Sequence, residues 1–438
     1  MLETLRNAFK IKEIRNRLLY TFGMLVVIRI GSLLPLPGVN AEMIANWFAN
    51  NSGDAMSFFN AITGGSFLQM SVFALSITPY ITSSIIMQLL TIAIPKLAEM
   101  QKDGEDGRKK IASITRYVTV ALALIESVAM AIGFGRAGYL DVFNALSVTT
   151  IVASLTAGSA VLMWVGERIT EKGVGNGISI VLIINIISRM PSDLMTLWTQ
   201  FVAGKNIGNA ALAIVIIVAV IVLTVVLVVL LQNAERRIPV QYAKKIQGNK
   251  QVGGQSTNIP LRVNTAGVIP VIFAQSLLST PVVIAQILGK TGGTGIGSKI
   301  LKGLSQSNWC NPSQPVYTIG LVVYIILIVL FAYFYTSITF NPLEVANNMK
   351  KQGGFIPGIR PGKPTSDYLT KILNYIVFIG AVGLTIVAVI PIFFNGVFKA
   401  NVSFGGTSII IIVGVVIETL KQIESQMLVR NYKGFLKD

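Results

Sequence analysis

The stretch AALAIVIIVAVIVLTVVLVVLL, Ala210–Leu231, decides the kind of fold. It carries no charged residue, and Thr224 is its only polar side chain. A helix needs roughly 20 apolar residues to cross about 30 Å of hydrocarbon. The stretch therefore predicts a membrane-spanning helix.

The composition of the 438-residue chain extends this prediction to the whole protein. Hydrophobic residues make up 53% of the sequence and charged residues only 13%, about half the usual share of a soluble protein. Lipid must therefore surround much of the surface. The sequence has no histidine and a single cysteine, Cys310, so His-based catalysis and an internal disulfide are excluded. We expect no enzymatic activity, no cofactor and no metal site.

Apolar segments of similar length alternate with hydrophilic loops along the chain. Loops on one side of this arrangement hold 28 of the 36 Lys and Arg residues, and loops on the other side hold seven. Basic residues concentrate in cytoplasmic loops, so both termini are predicted to be cytoplasmic. The predicted spans lie near residues 18–37, 71–94, 117–134, 147–165, 178–197, 210–231, 266–288, 316–339, 372–392 and 402–420.

These ten spans divide into two sets of five, which gives two predicted halves, residues 1–205 and 206–438. Because five is odd, the second half would enter the membrane from the opposite face. Such an arrangement allows an inverted pseudo-repeat with a pathway between the halves. No sequence repeat is evident, and the same count would suit an ion-coupled secondary transporter.

A short apolar segment, residues 57–69, precedes the second predicted span and is too short to cross a bilayer. It is either a re-entrant piece, which needs protein or water to shield its backbone, or an amphipathic helix on the outer surface. The following span is rich in Ser and Thr and contains Pro79, which we expect in the helix interior, where it would free a carbonyl group. Hydroxyl groups fit a channel wall and ordinary helix packing equally well.

Arg29 and Glu126 are the clearest charges at membrane depth. Intramembrane charge is costly and usually functional, although a buried polar anchor is the alternative for each residue. A proton or ion pump would normally need more carboxylates in register. The predicted spans also do not place two Asp residues at depth, as an intramembrane aspartyl protease would require.

Two predicted cytoplasmic loops, 232–265 and 340–371, are long for simple connectors, and loops of this length are usually functional or disordered. In the first loop, β-branched and aromatic residues alternate with charge at Ile238, Val240, Tyr242 and Ile246. We interpret both loops as functional.

Seven strings follow one another across nearly the whole chain: ITGGS (62–66), FALSITPYI (73–81), GERITEKGVGNGIS (166–179), QSTNIP (255–260), NTAGVIP (264–270), FIPGIRPG (355–362) and FGGTS (404–408). Together they closely resemble the SecY family, the channel-forming subunits of the Sec preprotein translocase. The resemblance implies an all-α membrane protein whose ten transmembrane helices, in two five-helix halves, surround an hourglass pore. It also implies a channel in the bacterial cytoplasmic membrane that conducts unfolded preproteins and releases signal or transmembrane helices laterally into lipid.

The resemblance implies residue roles as well. The pore ring of the family falls on Ile77, Ile81, Ile178, Leu182, Ile272 and Ile411, with Leu182 where isoleucine is common. The plug that blocks the outer half of the closed channel falls on Phe58, Phe59, Ile62, Gly64, Gly65 and Phe67. A polar cluster at the lateral gate falls on Gln88, Glu126 and Asn264.

The two long cytoplasmic loops match binding sites for the SecA motor and for ribosomes, at Arg236, Arg237, Lys244, Lys245 and Arg360. Small membrane subunits similar to SecE and SecG, the signal sequence of the preprotein and membrane lipid are the other implied partners. An aliphatic ring suits this role because it can gate by dewetting and yield around any chain. A transporter would instead need charged groups or broken helices at mid-membrane.

Overall fold

The computed structural model describes residues 6, 8–40, 42–44, 63–136, 138–205, 207–242, 245–247, 250–252, 256–287, 295–312, 314–398 and 406–434. The predicted site residues Phe58, Phe59, Ile62 and Lys244 lie outside these ranges. The described α-helices are α1 (Lys12–Leu33), α2 (Thr78–Ala93), α3 (Pro95–Lys102), α4 (Gly104–Arg136), α5 (Ala145–Lys172), α6 (Gly177–Phe201), α7 (Ile207–Asn233), α8 (Ile269–Ile287), α9 (Ile296–Leu304), α10 (Ile319–Thr339), α11 (Pro342–Lys351), α12 (Lys363–Phe398) and α13 (Gly406–Gly434).

A helix overlaps each of the ten segments predicted to span the membrane. Within the described residues, six helices are long and apolar enough to cross on their own, namely α4, α5, α6, α7, the helical stretch that contains α10, and α12. The pair α2 and α3 meets the same criterion only together, with a bend of 107° between them. The multi-pass helical fold is therefore confirmed, whereas the count of ten crossings stays a prediction.

The second predicted span begins later than expected. Ser71 forms an isolated bridge with Pro35, residues 72–77 are turns, and α2 starts at Thr78. Pro79 therefore lies in the first turn of the helix, and the prediction of an interior proline was wrong. The N–H groups of a first helical turn have no intrahelical acceptor, so proline there breaks no hydrogen bond.

The two long loops that are predicted to be cytoplasmic meet in a small sheet, which the sequence pattern did not predict. Strands β1 (Glu235–Tyr242) and β4 (Ser256–Arg262) come from the first loop and pair antiparallel with Ile238 opposite Ile259. Strand β5 (Gly354–Phe355) comes from the second loop and pairs antiparallel with the end of β1, which makes the order β4–β1–β5. A separate hairpin joins β2 (Lys245–Gln247) and β3 (Lys250–Val252).

The buried side chains form several clusters. One lies in the N-terminal part of the chain, around Phe67 and Phe134. Another lies in the C-terminal part, around Trp309 and Tyr324. A central cluster takes residues from α1, α2, α5, α6, α8 and α13, so it draws on both predicted halves of the chain. This central cluster positions the candidate site.

Candidate functional site

The six residues assigned to the pore ring come together in the central cluster. Four of them are nearly inaccessible, and Ile81 and Ile178 are partly buried. Helical spacing explains the local arrangement, because residues four apart share a helix face, as Ile178 and Leu182 do on α6. The start of α6 is fixed by Asn176, whose side-chain oxygen accepts hydrogen bonds from the N–H groups of Ile178 (3.1 Å) and Ser179 (3.4 Å).

A cavity of about 500 Å³ adjoins this aliphatic cluster. Its apolar wall includes five of the six residues: Ile81, Ile178, Leu182, Ile272 and Ile411. Its polar wall contains Gln88, Arg116 and Glu167, among others. Arg116 on α4 and Glu167 on α5 lie at the ends of these helices that are predicted to be cytoplasmic, so the cavity lies on the predicted cytoplasmic side of the cluster.

Arg116 and Glu167 form an ion pair that sequence reasoning missed. Nε of Arg116 lies 2.7 Å from Oε1 of Glu167, which links the cytoplasmic parts of α4 and α5 at the cavity wall. The only available signal was the string GERITE, which contains Glu167, and nothing in the sequence pointed to Arg116 as its partner 51 residues away.

The described part of the predicted plug lies beyond the cluster, on the side away from the cavity, which is the predicted outer side. Gly64 and Gly65 have φ angles of +67° and +86°, which favour glycine. A Cβ atom on Gly64 would lie 2.9 Å from the Cα atom of Asn185, so the turn rests directly on α6. Asn185 is three residues past Leu182, which is about 4.5 Å along the helix.

Phe67 is fully buried, and its ring packs against Phe134 at a centroid distance of 6.2 Å. It belongs to the N-terminal cluster and not to the central cluster. The end of the predicted plug is therefore anchored in the wall of the N-terminal part of the molecule.

The three residues assigned to the lateral gate lie on different elements, and no hydrogen bond joins them in the described part of the chain. Gln88, on α2, lines the cavity, and its Oε1 is buried without a partner. Asn264, just after β4, is 7% exposed and its Nδ2 is likewise unpaired. Glu126 lies on α4, seven residues past Thr119, whose hydroxyl contacts Ser83 of α2. Since seven residues make nearly two turns, Glu126 shares that face of α4.

Three of the predicted basic residues, Arg236, Arg237 and Arg360, lie on one structural unit, called here the cytoplasmic platform after its predicted location and defined as β1, β4, β5, α11 and the turn at residues 356–362. Ile238 and Val240 of β1 are buried against Met349 and Leu369, among others, which explains the observed alternation. Arg236 and Arg237 lie on the exposed positions of the same strand, and Arg237 pairs with Glu235 at 2.7 Å. Lys245 lies in the separate β2–β3 hairpin.

Arg360 is exposed on a turn of constrained geometry in this platform. Gly358 and Gly362 on either side have φ angles of +81° and +105°. The Thr365 hydroxyl donates to the Arg360 carbonyl oxygen at 2.8 Å. The backbone of Arg360 is therefore held while its side chain faces solvent.

An aliphatic cluster that lines a cavity on one side and meets a glycine turn on the other, inside a multi-pass helical fold, is typical of a membrane protein of the channel class. The fold is shared with a solved protein-conducting channel, at a TM-score of 0.63, 19% identity and coverage of 94% of this chain and 92% of that one. It is also shared with Sec61 from the canine ribosome–channel complex of the endoplasmic reticulum, at a TM-score of 0.61, 18% identity and coverage of 94% and 92%. The SecY family model matches residues 71–420, and the chain belongs to the SecY family.

Full-length relatives agree with this assignment. The protein translocase subunit SecY of Streptomyces scabiei is 44% identical over 456 residues, with 100% of both chains covered. The protein translocase subunit SecY of Bacillus subtilis is 42% identical over 450 residues, again with 100% of both chains covered.

Proposed function

We propose that this protein is the channel-forming subunit of a protein translocase, which conducts unfolded preproteins across the membrane and releases signal or transmembrane helices laterally into lipid. The observation that carries the proposal is the convergence of six aliphatic side chains from both predicted halves of the chain, five of which line one cavity. Nothing observed supports the alternative of an ion-coupled transporter. The centre presents aliphatic side chains, and the described residues contain no group of three or more metal-ligating side chains.

In this proposal the aliphatic cluster is the constriction. Branched side chains pack without specific polar contacts, so they can close on each other when the channel is empty and part around a passing chain. Water does not stably fill a narrow apolar neck, which keeps ions out at rest. Charged groups at this point would select among substrates, and a general conduit must accept any sequence.

Residues 57–69 are proposed to be the plug. Two features support this role: the Gly64–Gly65 turn lies on the outer side of the constriction, and its end is anchored by the buried Phe67. A related solved structure, at 19% identity and a TM-score of 0.64, is described as a SecY protein whose plug domain stabilises the closed state and maintains a membrane seal.

Lateral release requires a side wall that a signal helix can open. The wall proposed here contains α2, α4 and α8, with Gln88, Glu126 and Asn264 as its polar residues. A signal helix offers Leu, Ile, Val and Phe, which each favour lipid by about 0.3–0.6 kcal/mol. Ten such residues supply about 3–6 kcal/mol, enough to bias a gate between closed and open states.

The cytoplasmic platform and the β2–β3 hairpin are proposed to bind the SecA motor and ribosomes, through Arg236, Arg237, Lys244, Lys245 and Arg360. The exposure of Arg236 and Arg237 on β1 and of Arg360 on the glycine-flanked turn supports this role, since these cations can pair with carboxylates or phosphates. Two of the solved structures that share the fold are ribosome-bound channel complexes. The chain itself is proposed to be non-catalytic and to assemble with SecE-like and SecG-like small subunits.

The proposed location is the bacterial cytoplasmic membrane, with both termini cytoplasmic and the halves 1–205 and 206–438 related as an inverted repeat. The charge asymmetry of the loops supports this orientation.

A reconstituted translocation assay tests the proposal. The purified protein, with its small subunits and the motor ATPase, is placed in vesicles with a secretory precursor outside. We expect ATP-dependent protection of the precursor from added protease, and co-purification of the small subunits from solubilised membranes. Ion-driven uptake of a small solute by the protein alone, without precursor protection, would favour the transporter.

A further inference from the structure

Arg29 is a half-buried cation near the end of α1, and no carboxylate among the described residues pairs with it. Its Nη1 donates to the hydroxyl oxygen of Ser188 on α6 at 3.0 Å and to the carbonyl oxygen of Gly64 at 3.4 Å. An uncompensated guanidinium in a membrane-spanning helix is costly. These polar acceptors are therefore what stabilises Arg29 at this depth.

The Ser188 hydroxyl is a weaker donor to Gly64 than Arg29 is, because it is uncharged and makes a shorter contact elsewhere. It lies 2.7 Å from the carbonyl oxygen of Asn185 and 3.4 Å from that of Gly64. A hydroxyl has one hydrogen, and the shorter bond to Asn185 uses it. Arg29 is thus the main donor to the Gly64 carbonyl oxygen. The Ser188 hydroxyl accepts a hydrogen bond from Arg29 and donates one to the carbonyl oxygen of Asn185 in the same helix.

The same turn fits tightly on α6 at its second glycine as well. A Cβ atom on Gly65 would lie 3.3 Å from Cδ of Arg189, one residue past Ser188. The turn thus combines close contact with α6 and a hydrogen bond from α1. Three separate parts of the chain meet at this one peptide group.

We infer that Arg29 is a positioning residue that pins the Gly64–Gly65 turn, the described end of the proposed plug, to α6 in the resting channel. The inference rests on the proposed plug function. Displacement of the turn would separate the Gly64 carbonyl group from its charged donor and leave the guanidinium with Ser188 as its acceptor, so this contact favours the resting position. Arginine suits the role because its planar fork presents two donors from one nitrogen in fixed geometry.

The test uses a thiol probe at Ser66, in the protein with Cys310→Ser. Ser66 is 1% exposed and its Oγ is buried without a hydrogen-bond partner, so Ser66→Cys removes no polar contact. The rate of maleimide labelling in vesicles reports how often the turn opens.

Arg29→Gln should raise that rate by about tenfold, because a charge-assisted hydrogen bond is lost. Arg29→Lys should fall between Arg29→Gln and the unaltered protein, since it keeps the charge. Ser188→Ala should raise the rate by about threefold, the size expected for a single neutral hydrogen bond.

The two substitutions together should raise the rate by less than the product of their separate effects, because both act on the same contact. Arg136→Gln is the matched control, since Arg136 is exposed at the end of α4 and far along the chain from the turn. Its labelling rate should equal that of the unaltered protein.

An unchanged labelling rate in Arg29→Gln, in a protein with normal thermal unfolding, would overturn the inference. If Arg29→Gln does not accumulate, unchanged rates in both Arg29→Lys and Ser188→Ala would overturn it equally. The plug proposal is judged separately, by whether deletion of residues 58–67 raises resting ion conductance. Faster labelling of Ser66→Cys in Arg29→Gln, together with unchanged ion conductance in the deletion variant, would support the positioning role of Arg29. The same result would reject the proposal that the plug seals the channel.

Discussion

Ile81 and Ile272 each pack in the aliphatic cluster and also line the cavity. Their methyl and methylene groups therefore form the boundary between the water-accessible space and the apolar neck. A change of polarity at these two residues therefore acts directly on the proposed constriction.

The double variant Ile81→Ser, Ile272→Ser should raise resting ion conductance in planar bilayers, because hydroxyl groups let water fill the constriction. The matched control is the double variant Ile125→Ser, Ile187→Ser. These side chains, on α4 and α6, are 62% and 41% exposed on the surface of the protein. Conductance that stays at the unaltered level in a well-expressed Ile81→Ser, Ile272→Ser protein would remove both residues from the constriction.

The identity of the ring residues could not be derived from composition alone. α6 begins with aliphatic residues at Ile178, Ile180, Val181 and Leu182, and the burial of Ile180 (8%) is close to that of Leu182 (5%). Only the match to family strings separated the ring positions from their neighbours. The Arg116–Glu167 pair was missed for a related reason, since charge patterning along one chain does not show which loops meet.

At the level of whole elements, the cytoplasmic platform shows both what a sequence pattern reveals and what it conceals. The alternation at Ile238 and Val240 is visible because a strand buries every second residue. Strand β5 has only two residues and lies more than a hundred residues further along the chain. Its pairing depends on a tertiary contact that no local pattern encodes, so the sheet was not predicted.

Arg360→Glu should slow motor-driven translocation by about tenfold, the effect of losing a charge-assisted contact, while the amount of protein in the membrane stays normal. The measurement is the initial rate of precursor import into inverted vesicles. Lys371→Glu is the control, because it makes the same charge change at an exposed site on α12, outside the glycine-flanked turn. Equal rates for the two variants would argue against a specific role for Arg360.

Val240→Asp should loosen both long loops at once. Val240 of β1 is fully buried, in a cluster that also contains Met349 of α11 and Leu369 of α12. An unpaired carboxylate there should destabilise the platform by about 3 kcal/mol or more. Limited proteolysis should then cut within both 232–265 and 340–371.

The neighbouring variant Gln241→Asp, whose side chain is exposed on the other face of β1, should leave the cleavage pattern unchanged. Cleavage of the first loop alone in Val240→Asp would mean that the two loops are not mechanically joined.

At the level of the whole molecule, the balance of basic residues predicts which face of the protein is cytoplasmic. The positions of the helices agree with the apolar segments of the sequence, because apolar length directly reports the thickness of the bilayer. The start of α2 departed from this expectation, since an apolar segment does not distinguish turns from helix where protein rather than lipid surrounds the backbone. The division into halves at residue 205 stays a prediction.

Cys310 tests the orientation, because it lies in a loop predicted to face outward. A membrane-impermeant maleimide added to intact cells should label it. Burial raises the pKa of the Cys310 thiol above its ordinary value, so the reactive thiolate is scarcer at neutral pH than in an exposed cysteine. The labelling rate should therefore keep rising as the pH increases through the range in which an ordinary thiol is already ionised.

Reagent added only to the cytoplasmic side of inverted vesicles should leave Cys310 unmodified. Cys310→Ser controls for labelling of other proteins, and detergent-solubilised, unfolded protein shows full reactivity. Protection in intact cells together with reaction in inverted vesicles would reverse the assigned orientation.

The joining of β5 to β1 also sets an order of events during biosynthesis. Strand β1 leaves the ribosome long before Gly354 and Phe355 are made, and until then its edge lacks the partner that completes the sheet. A nascent chain therefore carries an incomplete sheet while about a quarter of its length, from β1 to β5, is synthesised. Under the proposed motor-binding role, the complete platform is available only after about four fifths of the chain has been produced, so half-made channels would lack it.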